Sequence, residues 1–145
     1  MSEPHQQHES VIDDVEIHVN SEALGALAVF DLTQTELKIL LRLVALMEPG
    51  GTVMATRDDI ATYFGIGPTF VSKVTTKLKS LGLAWRTDIN RIQINPNFAF
   101  KGTREAWMEA VEALPEDAPQ ILIPAYEVRP PREVRSRGKR HLRAV

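Results

Sequence analysis

One polar stripe in the middle of the chain combines small hydroxyl side chains with a cation. After the first member, the others follow three, four and seven residues later, and the set is Thr69, Ser72, Lys73 and Thr76. Residues at this spacing share one face of an α-helix. Small hydroxyls let a helix backbone approach base edges closely, and a lysine can bind phosphate or guanine. The stripe is therefore a candidate DNA-contacting surface, although an amphipathic helix with a solvated polar face has the same pattern.

Further cations adjoin this stripe. Lys77 and Lys79 flank it on the same predicted helix, and Arg86 and Arg91 frame a predicted hairpin turn. An arginine in such a hairpin follows a phosphate or enters the minor groove, and the alternative is a surface charge that faces the neighbouring strand. The predicted DNA-binding residues are Thr69, Ser72, Lys73, Thr76, Lys77, Lys79, Arg86 and Arg91.

The elements that must position these side chains follow one another closely. Thr56 caps a helix that ends at Gly65, Gly65-Ile66-Gly67 forms a tight turn, and Pro68 starts a helix that reaches about Leu81. Two short strands, 83–86 and 91–94, form a small wing. This order predicts a mainly α fold with a small β-wing, the winged helix-turn-helix, whose second helix enters the major groove.

Two other helices carry more apolar surface than a small domain needs. Thr33 and Glu36 match a capping box, and their helix runs to about Glu48 with two apolar stripes. One stripe holds Leu37, Leu40, Leu41, Val44 and Met47, and the other holds Ile39, Leu43 and Leu46. Thr103 caps a last helix whose apolar face is Trp107, Ala110, Val111 and Leu114. We therefore expect a homodimer, and the residues predicted for the core or the dimer contact are Leu43, Leu46, Trp107, Val111 and Leu114.

Composition divides the chain into three parts. Residues 1–13 are predicted to be a disordered acidic N-terminus, residues 14–114 the DNA-binding domain, and residues 115–145 an extended or disordered Pro/Arg-rich tail. Inside the domain, residues 14–20 alternate as a strand, and Ser21 is predicted to cap a helix to about Val29. Leu24, Leu27 and Ala28 lie on one side of that predicted helix.

The net charge of −2 conceals an uneven distribution. Residues 1–20 contain five acids and no lysine or arginine, whereas residues 126–145 contain seven basic residues and two acids. A basic tail adds salt-dependent affinity for any DNA through counterion release. The alternatives are a solvated tail or a patch that binds the acidic N-terminal segment.

The sequence contains no pattern typical of a catalytic or metal site. There is no cysteine, the four histidines lack ligand spacing, and no phosphate-binding glycine loop or nucleophile elbow is present. We therefore predict no metal, no cofactor and no enzymatic activity. Phe98, Phe100 and Trp107 could line a ligand pocket, but such residues more often belong to a core or a dimer contact. Without a signal peptide or a membrane-spanning run, the expected location is the cytoplasm, away from membranes.

The chain resembles the RepL family of bacterial plasmid replication proteins. The similarity lies in the winged-helix order followed by INPNFAFKG at 94–102, in EIHVNSEALGAL at 16–27, and in LTQTELKILLRLVALM at 32–47. It covers roughly residues 14–103, and its winged-helix part is shared with MarR-like regulators. The resemblance implies binding to a replication origin or an operator, without replication-enzyme activity.

Two functions are compatible with these patterns. The first is sequence-specific binding of double-stranded DNA, as a transcriptional regulator or a plasmid replication or maintenance factor. The second is a winged-helix protein–protein interaction module without specific DNA binding. Pro68 and Phe70 favour the second, because the matching positions of DNA-reading helices usually hold a cation and a hydroxyl. The sequence does not indicate a small-molecule effector.

Overall fold

The computed structural model describes residues 16–123, which form a mixed α/β unit. Its strands are β1 (Ile17–Val19), β2 (Thr52–Met54), β3 (Ala84–Asp88), β4 (Arg91–Ile94) and β5 (Ala99–Lys101). Its helices are α1 (Ser21–Ala26), α2 (Gln34–Leu46), α3 (Arg57–Phe64), α4 (Pro68–Ser80) and α5 (Arg104–Glu112). The predicted acidic N-terminus and the basic run of the tail lie outside the described residues.

The strands form two antiparallel assemblies. A three-stranded sheet has the order β2-β4-β3, and β1 pairs with β5 in a separate ribbon in which His18 lies opposite Phe100. In the sheet, Ile92 and Ile94 are buried while Arg91 is exposed, as expected for a strand with one face on the core. The ribbon was not predicted, because the sequence indicated a strand at 14–20 but no strand at its partner β5.

The β3–β4 hairpin is longer than its pattern predicted. Strand β3 continues to Asp88, which lies opposite Arg91, and a register shift between Arg86 and Asp88 accommodates Thr87. Only Ile89 and Asn90 remain at the tip. An extra residue of this kind in one strand bends it and increases the local twist.

Helix α2 buries one face, whereas the sequence suggested two. The buried positions are Ile39, Leu40, Leu43 and Met47, which lie within one sector of the helix. Leu41 is 53% exposed and Leu46 is 47% exposed, so of the two α2 residues predicted for the core or the dimer contact, Leu43 lies in the core and Leu46 does not. Leu46 is accessible to a second chain, and the dimer contact itself stays a prediction.

The residue that caps the N-terminus of helix α1 lies one position before the predicted one. The side chain of Asn20, instead of Ser21, accepts a hydrogen bond from the Ala23 amide at 3.0 Å. Ala23 and Ala26 are buried, whereas Leu24 is 52% exposed and Ala28, beyond the end of the helix, is exposed, so the buried side of the helix is not the one that holds Leu24. Two small alanine side chains let the helix lie close to the core.

Helices α3 and α4 are joined as predicted. Thr56 and Asp59 form a reciprocal capping box at the start of α3, with hydrogen bonds of 3.0 and 2.9 Å. Gly65 ends α3 in the left-handed conformation at φ 65°, which favours glycine, and Ile66 packs against the core. Pro68 is the first residue of α4, where its missing N–H costs nothing.

The predicted boundary at residue 114 is wrong, because the following segment packs onto the domain. The buried side chain of Asn95 donates from Nδ2 to the carbonyl of Gly82 at 2.8 Å and to that of Pro119 at 3.4 Å. Ile121 packs against the core, and a Cβ added at Gly82, whose φ is 75°, would overlap the backbone of Gln120. The folded unit therefore extends at least to Ile121.

Helix α5 lies on the surface of this unit with no fully buried residue. Trp107, Val111 and Leu114 are half-buried, so they are neither core residues nor freely exposed. The indole Nε1 of Trp107 donates to the carbonyl of Pro96 at 2.8 Å. This bond holds the helix against the loop between β4 and β5. None of the described helices is long and apolar enough to cross a membrane.

An ion pair joins α2 to α4. Lys77 Nζ lies 2.8 Å from Glu36 Oε1 and also donates to the carbonyl of Asp31. Burial alone would raise the pKa of Glu36, but hydrogen bonds from Lys77 and the Thr33 amide, together with the charge of Lys77, lower it below its ordinary value of 4.5. The pair therefore stabilises the fold while Glu36 is ionised.

This arrangement predicts a specific loss of stability in acid. A carboxylate with a lowered pKa in the folded state contributes stability above its unfolded pKa and loses it as the pH falls through the folded value. We expect the wild type to lose more free energy of unfolding than Glu36→Gln between about pH 5 and pH 3. Glutamine preserves the capping geometry but not the charge. Urea unfolding across this pH range measures the free energy of unfolding of both proteins. If it falls equally with pH in the wild type and in Glu36→Gln, the proposed role of Glu36 is contradicted.

Candidate nucleic-acid interface

The polar stripe of the sequence lies on the outer face of α4. Val71, Val74 and Leu78 are fully buried on the opposite side and hold the helix in the core. The outer side chains line one open groove along the helix: Thr69, Ser72, Lys73, Thr76, Lys77 and Ser80. We call this surface, without Lys77, the α4 face. Within it Lys73 and Thr76 are exposed and Ser72 is half-buried.

Lys77 does not belong with the exposed cations. Its ammonium is engaged by Glu36 and by the carbonyl of Asp31, which offset its charge and leave one of its three N–H donors. Lys77 is therefore a weaker candidate for DNA contact than the sequence predicted. Lys73, one turn earlier, remains exposed, as does Lys79.

The start of α4 is open at the surface. Its N-cap is Gly67, which has no side chain to cap the helix, and Thr69 and Phe70 in the first turn are exposed. The first amides of a helix point away from it and attract negative charge. This helix end adjoins the α4 face, so the two together present hydroxyl groups, a lysine and amide donors on one side of the molecule.

The sequence predicted that Arg86 contacts DNA, but in the structure its guanidinium binds carbonyl groups of the protein itself and supports the hairpin. Its Nη1 donates to the carbonyls of Ala55 and Ile89, each at 3.0 Å, and so ties the hairpin tip to the end of β2. Burial lowers the pKa of the Arg86 guanidinium, and the nearby positive charge of Arg57 lowers it further. Nη2 is buried and has no hydrogen-bond partner among the described residues.

Arg57 is a candidate that the sequence pattern did not single out as a site residue. It is the first residue of α3, it is exposed, and its Nη1 donates to the Ser72 hydroxyl at 3.4 Å. Its charge is close enough to Arg86 to lower that residue's pKa. Two neighbouring guanidinium groups repel each other, so an anion bound to the exposed Arg57 beside Ser72 would offset this repulsion.

The remaining predicted cation of the hairpin is accessible. Arg91 is exposed at the start of β4, opposite Asp88, and Ile89 at the tip is 79% exposed. Five of the eight predicted residues are exposed: Thr69, Lys73, Thr76, Lys79 and Arg91. The other three, Ser72, Lys77 and Arg86, are half-buried and make side-chain contacts within the protein.

Comparison with models of protein families, with curated proteins and with solved structures finds no match to this chain. The assignment of a function therefore depends on the residues and on their geometry.

Proposed function

We propose that this chain is a winged helix-turn-helix protein that binds specific sequences of double-stranded DNA. The observation that carries the proposal is the α4 face, an exposed stripe of hydroxyls around Lys73 backed by fully buried Val71, Val74 and Leu78. In the proposed fold, α3 and α4 form the helix-turn-helix and the β3–β4 hairpin forms the wing. A helix held by one face and presenting small polar groups on the other suits the major groove.

Docking in this orientation assigns the side chains to two kinds of contact. Thr69, Ser72, Lys73 and Thr76 would face base edges, because they lie along the outer line of α4. Lys79, Arg91 and Arg57 would face phosphates at the borders of the same surface. Arg86 would position the wing without touching DNA, because its guanidinium is already bonded to the Ala55 and Ile89 carbonyls.

The cellular role that we propose is transcriptional regulation or plasmid replication or maintenance. The resemblance to RepL-like proteins supports this choice, and such a protein would act in the cytoplasm. We propose a homodimer, since Leu41 and Leu46 expose about half of their surface on α2. Dimeric proteins of this kind read two half-sites spaced by a helical turn or a multiple of it.

Selection from genomic DNA tests the proposal directly. The purified full-length protein would capture fragmented chromosomal and plasmid DNA at physiological salt, and the captured fragments would be sequenced. One dominant site within a replicon would support the replication or maintenance role, whereas sites in promoters would support regulation. No enrichment over random fragments would contradict specific DNA binding.

An alternative function is a protein-interaction module. Phe70 at the head of α4 is 40% exposed and Ile89 at the hairpin tip is 79% exposed, and exposed apolar groups of this kind favour protein partners. The dependence of binding on salt concentration distinguishes the two functions. Binding of DNA weakens steeply with salt through counterion release, whereas an apolar protein contact does not.

Because Arg57 is proposed to contact a phosphate, we expect its removal to weaken binding to all DNA sequences alike. In the Arg57→Gln variant we expect weaker binding to every duplex and a salt slope that is shallower by about 0.9, which corresponds to one phosphate contact. Stability should not change measurably, because Arg57 is exposed and its single bond to Ser72 is long. Lys38→Gln is the matched control, since it removes one exposed charge from α2. Equal slopes for the two variants would exclude the Arg57 contact.

A further inference from the structure

A cavity lies on a different part of the molecule from the α4 face. It has a volume of about 380 Å³ and is bounded by the β1–β5 ribbon, by the loop after β4 and by the first turn of α5. This volume falls in the range of small-molecule sites, roughly 300–1,000 Å³. None of the residues proposed above to contact DNA lines it.

The apolar walls of the cavity are held in place by their own contacts. The Trp107 indole donates to the Pro96 carbonyl at 2.8 Å, which satisfies its N–H and fixes the ring. Phe100 is buried, and a Cβ added at Gly102 would lie 2.8 Å from its Cε2 atom. Glycine at 102 therefore lets the phenyl ring occupy its position. Two aromatic rings and a proline in fixed positions suit a flat apolar molecule.

The polar part of the cavity favours a negative charge. His18 and Arg104 are both exposed and both line it, and Asn97 and Thr103 complete the polar wall. No carboxylate side chain is present among its described lining residues. An arginine fork binds a carboxylate in a bidentate manner, and a histidine can add a further donor. The charge of the lining is thus complementary to an organic acid.

We propose that this cavity binds a small molecule with a flat, mostly apolar body and one carboxylate group. The apolar body would lie against half-buried Trp107, over the buried Phe100 and Pro96 that form the floor of the cavity, and the carboxylate would point toward Arg104 and His18. The arginine is located at the rim because it starts α5, and His18 reaches the same rim because β1 pairs with β5. This proposal does not depend on DNA binding, since the two surfaces share no residue.

Titration of the full-length protein with 2-naphthoate, followed by proton–nitrogen NMR, tests the site. The chain has two tryptophans, and the indole signal of Trp107 should shift while that of Trp85 stays in place, because only Trp107 lines the cavity. The neutral amide 2-naphthamide has nearly the same shape, and we expect it to bind about tenfold more weakly, since it lacks the charge that Arg104 would bind. Absence of a shift at Trp107 with millimolar 2-naphthoate would overturn the proposal.

Variants identify the group that recognises the charge. Arg104→Gln should weaken 2-naphthoate binding about tenfold and leave 2-naphthamide binding unchanged. Lys38→Gln removes an equal charge from α2 and should leave both ligands unaffected. If the naphthoate affinity of Arg104→Gln equals that of the wild type, or if both variants weaken it equally, the carboxylate assignment is overturned.

Discussion

Lys73→Ala is expected to bind its selected duplex more weakly and to discriminate less between base pairs. Lys73 is exposed in the middle of the α4 face, between Ser72 and Thr76, where the proposed docking puts it against base edges. A specific contact to a base contributes about 1–3 kcal/mol of discrimination, so the selected duplex should lose roughly five- to 150-fold in affinity relative to its variants. Equilibrium binding to the selected duplex and to its single-base-pair variants, at one salt concentration, measures this.

Lys77→Ala provides the matched control for Lys73→Ala. It removes the same charge one turn further along the same helix, but from an ion pair with Glu36. We expect it to lower the free energy of unfolding and to leave the ratio of affinities between duplexes unchanged. If instead Lys73→Ala preserved that ratio and Lys77→Ala altered it, the orientation of α4 on DNA would have to be revised.

Gly82→Ala should destabilise the protein more than the equivalent change at Gly65. Both glycines have a positive φ, 75° at Gly82 and 65° at Gly65. An alanine Cβ at Gly65 would meet nothing within 4 Å, so only the backbone cost of about 1–2 kcal/mol applies there. At Gly82 the added Cβ would overlap the Gln120 carbonyl and displace the segment that Asn95 also holds. We expect a total loss of about 2–4 kcal/mol at Gly82.

Urea unfolding of Gly82→Ala and Gly65→Ala measures the difference in stability between them, and hydrogen exchange shows which amides lose protection. The amides of Ala118, which donates to the Pro115 carbonyl, and of Asn95, which donates to the Leu83 carbonyl, should exchange faster in Gly82→Ala than in the wild type, because the contacts of residues 119–121 with Gly82 and Asn95 are lost. Gly65→Ala should leave their exchange unchanged. Equal destabilisation by the two variants, with equal exchange of these amides, would show that the packing of residues 119–121 contributes nothing to stability.

Local features of the sequence were sufficient to predict most of the helices. The caps at Thr33, Thr56 and Thr103 are confirmed, as is Pro68 at the start of α4. Caps act through hydrogen bonds between residues three apart, so they can be read without knowledge of the rest of the fold. The cap of α1 was missed because Asn20 and Ser21 are both good capping residues and adjacent.

The composition of the candidate interface was only partly predictable. Periodicity correctly placed Val71, Val74 and Leu78 inside and Lys73 outside. It could not distinguish Lys77 from Lys73, because what separates them is Glu36, 41 residues away along the chain. In the same way, Arg86 is engaged by Ala55, which lies 31 residues before it. Arg57 was not predicted as a site residue, because its contact with Ser72 spans 15 residues.

The sequence alone determined the capped helices, the glycine turn at Gly65 and the polar stripe on α4, since each depends on residues within about one helical turn. The tertiary structure alone decided which cations are exposed, that Leu46 lies outside the core, and that residues 115–121 belong to the folded unit. These outcomes depend on the relative placement of elements distant along the chain. That placement results from how buried side chains pack together, which no local pattern encodes.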